Sequence, residues 1–208
     1  MPYPVASVRN KNFGSSFSPL SLSPIVWLKA DTINLSDGAD ISLWADQSGN
    51  GRDYSQGDNS KQPNYILNQK NGLPIVRFNG SSDLLTASGL SSVALSVYYV
   101  VKSNTTTSKY LSTFGSNNKG VIQGFTVGKW EWYDTPRTVI GDISTSSFQI
   151  ISTIVGSSSA GSWGLGATSG GSSWLACDVG EFIAFASALS TGNDSLVKSY
   201  LGGKWGLP

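Results

Sequence analysis

The sequence predicts an all-β domain of the sandwich type with one short helix near its C-terminus, and three observations carry that reading. Short segments rich in Val, Ile, Tyr and Phe recur along the chain, separated by clusters of turn residues. The segment Ala94–Lys102 (ALSVYYVVK) is apolar at both odd and even positions, as a central strand covered on both faces requires. Only the stretch after Thr191 sets apolar residues, Leu196, Val197, Tyr200 and Leu201, at helical spacing. For 208 residues one domain is the default, with length enough for a substantial core.

Residues 1–24 stand apart. They hold Pro2, Pro4, Pro19 and Pro24 and serines at 15, 16, 18, 21 and 23, which exclude a helix or a central strand and predict an extended arm ahead of a domain spanning 25–208. Ile25–Lys29 reads as the first strand. Asp37–Asp40 is a turn, and Ile41–Ala45 a short strand feeding a polar loop at Asp46–Asp53. Residues 54–71 are polar and read as a surface segment without regular structure. Ile75–Phe78 is a strand closed by the Asn79-Gly80 turn signal. After the central strand and the polar turn Asn104–Ser108, strands are expected at Tyr110–Phe114, Val121–Trp132, Thr138–Gly141 and Phe148–Val155. Ser157–Ser173 is rich in Ser and Gly, but the strand Val179–Phe185 follows it, so it is no linker. The helix opens with a capping-box-like pair, Thr191 and Asp194. Gly202 and Gly203 weaken it, and Trp205 is expected to pin its end to the sandwich.

The least generic run is Trp44-Ala-Asp-Gln-Ser-Gly-Asn-Gly-Arg-Asp53, a turn dense in residues that tolerate positive φ, in which Asp46 and Ser48 can bond the turn's own amides. Before it comes WLKAD (Trp27–Asp31). After it come Gly72–Gly80 (GLPIVRFNG), EFIAF (Glu181–Phe185), Ala188-Leu189-Ser190 and KWGL (Lys204–Leu207). In this order, over about residues 25–207, these runs resemble the laminin-G-like, concanavalin A-like jelly-roll modules of bacterial and phage proteins. The resemblance implies a two-sheet antiparallel β-sandwich and no particular activity. Trp27, Phe78, Val97, Tyr99, Phe182 and Phe185 should then be buried.

Composition narrows the function. Charged residues make up 13% of the chain, against roughly 25% in an average soluble domain, and the net charge is +1. Such a surface offers no general attraction for nucleic acid or an anionic membrane. The single cysteine, Cys177, excludes an intrachain disulfide. Met1-Pro2-Tyr3-Pro4 lacks the basic segment and apolar run of a secretory signal, so folding in a cytoplasm is expected, with a trimmed signal as the alternative.

With no histidine, Ser-His-Asp and Cys-His chemistry is excluded. Glycosidases on the resembled fold would need paired carboxylates, which in the bacterial β-glucanase type lie close together on one strand, as Glu-x-Asp-x-Glu or with one more residue. Here the only glutamates are Glu131 and Glu181, and Glu131 with Asp134 does not reproduce that motif. No enzyme is expected. Asp46, Asn50 and Asp53 carry oxygens suited to calcium, yet a self-bonded turn needs no ion; no cofactor is expected, and Ca²⁺ is the alternative. Trp130, Trp132, Tyr133 and Asp134 form the candidate glycan or subunit contact. On a strand the two tryptophans share one face, which makes them either a core pair or an outward platform.

Tyr3, Val5, Val8, Phe13 and Phe17 are the candidate assembly anchors of the arm. Ordering a residue costs roughly 1–2 kcal/mol, and each large anchor contributes roughly 1.5–3 kcal/mol when buried. An ordered arm therefore needs an opposing surface, its own domain or a neighbouring subunit. The expected function is a non-enzymatic virion structural protein of a bacteriophage: a head decoration or cement subunit, or a tail adsorption module. It would be made in the host cytoplasm, be oligomeric or part of an assembly, and contact other virion subunits through the arm. The alternative is a bacterial lectin-like protein, extracellular or on the cell surface, that binds cell-surface glycans.

Overall fold

The computed structural model describes residues 17–90, 95–115, 119–155, 158 and 160–208. Its strands are β1 (Val26–Lys29), β2 (Leu43–Trp44), β3 (Tyr54–Ser55), β4 (Asn64–Lys70), β5 (Leu73–Asn79), β6 (Leu85–Leu90), β7 (Leu95–Ser103), β8 (Lys109–Phe114), β9 (Gly120–Gln123), β10 (Lys129–Tyr133), β11 (Thr138–Asp142), β12 (Gln149–Val155), β13 (Gly161–Leu165) and β14 (Ala176–Phe185). The helix α1 spans Thr191–Trp205. Two antiparallel sheets result. One runs β12-β7-β14-β5-β4 with β1 also paired to β14, and the other runs β11-β10-β9-β8-β13-β6-β3-β2. No helix among the described residues is long and apolar enough to cross a membrane.

The inter-sheet core is aromatic. Tyr99 stacks on Phe182 with centroids 4.8 Å apart, and Phe114 stacks on Trp132 at 5.5 Å while meeting Trp163 edge-on at 4.7 Å. Fully burying one such large side chain contributes roughly 1.5–3 kcal/mol. Trp27, Phe78, Val97, Tyr99, Phe182 and Phe185 are all buried, as the sequence predicts.

A second apolar layer explains why β7 is apolar on both parities. Val97, Tyr99 and Val101 face the other sheet, while Tyr98 and Val100 face outward with Ile75, Ile183 and Phe185 under Val197, Leu201 and Trp205 of α1. Trp205 seats on the backbone of β14: a Cβ at Gly180 would lie 2.4 Å from the Trp205 ring. Beside it Glu181, fully buried, accepts four hydrogen bonds. They come from Trp27 Nε1 (2.6 Å), Tyr200 Oη (3.0 Å), Lys204 Nζ (2.8 Å) and Trp205 Nε1 (2.9 Å). Three residues earlier, buried Asp178 is held by Arg77 at 2.7 and 3.0 Å, Lys102 at 3.1 Å and Asn104 at 3.2 Å. Burial pushes this carboxyl up, but the bonds and charges of Arg77 and Lys102 outweigh it and leave the pKa below the ordinary carboxylate range.

Several expectations are corrected. Residues 54–71 contain β3 and β4. β4 is an edge strand whose polar residues face solvent, while Tyr65 enters the core. Val121–Trp132 is two strands of a hairpin. The helix cap is Ser190, whose Oγ accepts from Asn193 N at 3.3 Å; Asp194 instead accepts from Tyr98 Oη at 2.8 Å and from Lys198 at 2.9 Å. The helix runs through Gly202 and Gly203, and Gly206 closes it in the left-handed conformation.

Of the arm, Tyr3, Val5, Val8 and Phe13 lie outside the described residues. Phe17 lies edge-on to Tyr200 at 6.5 Å, and with Leu22 it joins the layer beneath α1. A 3₁₀ turn at Pro19–Leu22 buries Pro19. The described end of the arm therefore packs on its own domain.

Candidate functional site

The outer face of the larger sheet, across β8 to β11, carries the candidate site. Pairing decides which side chains reach it. Trp130, Trp132, Val121, Leu111 and Phe114 belong to the inter-sheet core. By alternation Glu131, Tyr133 and Ile122 point away from it, and Ile122 pairs with both Tyr110 and Glu131. This corrects the expectation of a tryptophan contact surface: Trp130 is 0% and Trp132 3% exposed, and Trp130 Nε1 donates to Gln149 Oε1 at 3.2 Å. Tyr133 and Asp134 do reach the surface.

The 124–128 turn between β9 and β10 completes the site. Gly124 (φ +84°) and Gly128 (φ +74°) adopt conformations that L side chains rarely take, and a Cβ on Gly124 would lie 3.0 Å from Ser108 N. The turn projects Phe125, 50% exposed, and Val127, 91% exposed. Its shape is fixed from beneath by Glu131, which accepts from Thr126 Oγ1 at 2.6 Å and Thr126 N at 3.2 Å.

Three rings meet there. Phe125 lies near-parallel to Tyr133, with centroids 5.8 Å apart and planes at 21°; Tyr110 meets Tyr133 edge-on, also at 5.8 Å. The Arg137 guanidinium lies over both, 4.1 Å from the Phe125 centroid and 5.6 Å from that of Tyr133. Burial pushes the Tyr110 hydroxyl up to about 12, so it is neutral and able to donate at physiological pH.

Two open cavities flank the rings. One of about 270 Å³ is lined by Lys119, Tyr133, Asp134, Thr135 and Arg137. A smaller one of about 80 Å³ is lined by Ser108, Lys109, Tyr110, Ile122, Phe125 and Ser173. Asp134 pairs with Lys119 at 2.8 Å and accepts from Thr135 N at 2.8 Å; the Lys119 bond holds its carboxyl below the usual range. Glu131 and Asp134 are thus engaged by different partners. Sequence reasoning missed Phe125, Tyr110 and Arg137, and the two glycines bracketing Phe125 were the signal that a turn displays it.

The Asp46 loop is tied inward. Asp46 Oδ1 accepts from the amides of Trp27 and Ser48, each at 2.9 Å, and Oδ2 from Ser48 Oγ at 2.7 Å and Arg52 N at 3.0 Å. Asp53 accepts from Asp46 N at 2.8 Å, and Asn50 Nδ2 donates to Pro24 O at 3.0 Å. Among the described residues no group of three or more His, Cys, Asp or Glu is placed to hold a metal.

No protein-family model matches the chain, and no curated protein matches its sequence. Solved structures do resemble it. Domain 4 of an extracellular arabinanase from Geobacillus stearothermophilus, in complex with arabinotriose, superposes with a TM-score of 0.55 at 15% identity, covering 85% of this chain and 97% of that one. The ligand-binding domain of botulinum neurotoxin serotype D, in complex with N-acetylneuraminic acid, gives 0.51 at 14% identity over 92% of this chain. The sialidase of Trypanosoma rangeli gives 0.56 at 11% identity over 98% of this chain. The chain spans 56% of the toxin chain and 36% of the sialidase chain. The likeness is one of fold: a jelly-roll-like β-sandwich compatible with the concanavalin A-like class.

Proposed function

We propose that this chain is a non-catalytic glycan-binding β-sandwich module whose site is the Phe125–Tyr133–Tyr110 surface, and that it belongs among the laminin-G-like modules its motifs resemble. The observation that carries this is the half-exposed Phe125, held beside Tyr133, which itself lines a cavity of about 270 Å³ with polar neighbours. A sugar ring presents an apolar C–H face suited to an aromatic ring and hydroxyls suited to polar groups at the rim. Tyr133, Thr135, Asp134 and Lys119 supply that rim. The sugar ligands of two structures that share the fold are consistent with the reading.

The reading uses no catalytic group and no cofactor, and a module of this kind acts on a cell surface or outside the cell. The virion role rests in part on the arm, whose described end, from Phe17 on, packs on its own domain; the exposed aromatic surface favours glycan binding over it. The test is a glycan microarray with the full chain, followed by calorimetry on the strongest ligand for wild type, Phe125→Ala and Tyr133→Ala. A stacked ring is worth roughly 0.5–1.5 kcal/mol beyond its area, so each variant should bind about 3- to 10-fold more weakly with unchanged melting. Equal affinity in both variants would remove this surface as the site.

A further inference from the structure

Arg137 shares the aromatic surface that a sugar would use. Its guanidinium stacks over Phe125 and Tyr133 and has no hydrogen bond or ion pair to a carboxylate among the described residues. The carboxylate in the same cavity, Asp134, is already taken by Lys119, and Glu131 is taken by Thr126. Lys109, on the rim of the smaller cavity, likewise has no carboxylate partner among the described residues. In a chain with net charge +1 and 13% charged residues, two cations without a carboxylate partner among the described residues, beside one aromatic surface, are a local concentration of positive charge. A guanidinium stacked on a ring keeps its in-plane N–H fork free, and that fork matches a carboxylate in a bidentate geometry.

We infer that the surface takes an acidic saccharide, one whose ring carries a carboxylate, with the carboxylate on Arg137 and the ring beside it, against the half of Phe125 that the guanidinium and Tyr133 leave exposed. The inference rests on the glycan-binding reading and adds the class of ligand to it. A neutral sugar meets the same guanidinium without an anion to offset the water it displaces, so the site discriminates by charge.

The experiment uses the full chain and a microarray of matched pairs, each an acidic oligosaccharide and its carboxyl-reduced form; trigalacturonate and sialyllactose head two such pairs. The acidic member should bind about tenfold more tightly, a gap of ~1.4 kcal/mol. That gap should narrow as salt rises from about 20 to about 300 mM. Arg137→Gln, at an exposed position, should lose about tenfold on the acidic member and much less on the neutral one, so that the gap between the two closes. Arg137→Lys keeps the charge without the fork and should recover only part of that loss. Phe125→Ala should weaken both members. Equal binding of the two members, or equal loss on both in Arg137→Gln, overturns the acidic preference while leaving glycan binding in place. Binding to no saccharide on the array removes the glycan reading, and this inference with it.

Discussion

Replacing Glu181 with glutamine changes one oxygen to an amide nitrogen, yet that position decides how α1 is held. Four donors converge on the carboxylate, two on each oxygen: Trp27 Nε1 and Tyr200 Oη on Oε1, Lys204 Nζ and Trp205 Nε1 on Oε2. A glutamine has one acceptor atom. With the amide nitrogen in the Oε1 position, the Tyr200 hydroxyl can rotate to accept from it. The buried Trp27 indole N–H cannot, and it faces another donor at 2.6 Å. A buried donor left unsatisfied costs about 1–3 kcal/mol. Lys204 keeps Asp31 at 2.8 Å but loses its buried anion, and a hydrogen bond to a charged group is worth about 1.5–3 kcal/mol.

Because Asp31 retains part of the Lys204 interaction, the sum is about 2–4 kcal/mol of destabilisation. A domain of this size shifts by about 2–4 °C per kcal/mol, so the melting temperature should fall by roughly 4–16 °C. Trp27 and Trp205 both sit at the site and report it directly. Tryptophan fluorescence should change before far-UV circular dichroism does, since α1 loosens while the two sheets persist. A urea midpoint for Glu181→Gln indistinguishable from wild type would refute the four-donor argument. Lys61→Ala is the control: it removes an exposed i,i+3 pair with Asp58 and should leave the melting temperature unchanged.

Asp178 has a depressed folded pKa, so its ionised form stabilises the fold above the unfolded carboxylate pKa of about 3.9, and that stability is lost as pH falls through the lower folded value; urea midpoints should drop below about pH 4 in wild type and more shallowly in Asp178→Asn, which starts less stable at neutral pH. Gly180→Ala forces a Cβ to 2.4 Å from the Trp205 ring and should cost about 1–3 kcal/mol in thermal unfolding, with a shifted tryptophan spectrum. Deleting residues 2–22 removes the partly buried Phe17 and Leu22 from the layer beneath α1; at about half the full burial value each, the loss is about 1.5–3 kcal/mol, and a sandwich that still folds should melt lower by roughly 3–12 °C. Asp134→Asn, which touches Lys119 at the surface, should leave the fold intact and reveal no lost hydrolysis on polysaccharide substrates.

The sheets were legible where burial on two sides left no room for polar residues. LSVYYVVK (Leu95–Lys102) has the other sheet on one face and α1 on the other, so its composition alone betrays its place. β4 hid because an edge strand needs only Tyr65 to enter the core, and its exposed positions read as loop. The spacing of Trp130 and Trp132 showed that they share a face but not which one. That is set by pairing with β9 and β11, and a one-residue slip would have turned both outward. Phe125 and Val127 carried the apolar alternation through 124–128, which made a hairpin look like one long strand. An apolar residue in a turn is a poor signal of a turn and, once exposed, a good signal of a surface. Arg137 lies twelve residues further on, and only the β10–β11 pairing brings it over the Phe125 ring.

The two outer faces of the sandwich are not equivalent, and that asymmetry narrows where a ligand can sit. The outward residues of the smaller sheet are covered by α1 and by Phe17 and Leu22, locked through Glu181, so a ligand there must first displace a packed layer. At the end of that sheet which α1 does not cover, Arg77 and Lys102 are already committed to Asp178. Among the described residues no such layer lies over β8 to β11 of the larger sheet. Its outward side chains include Phe125, Val127 and Val139, each half-exposed or more, with Tyr110 and Tyr133 beside them. Leaving apolar area in water at that spot forgoes burial that the smaller sheet achieves with a helix. Among the described residues the exposed aromatic surface and the one cation stacked on it without a carboxylate partner, Arg137, coincide, and the paired variants Phe125→Ala and Arg137→Gln separate what each contributes.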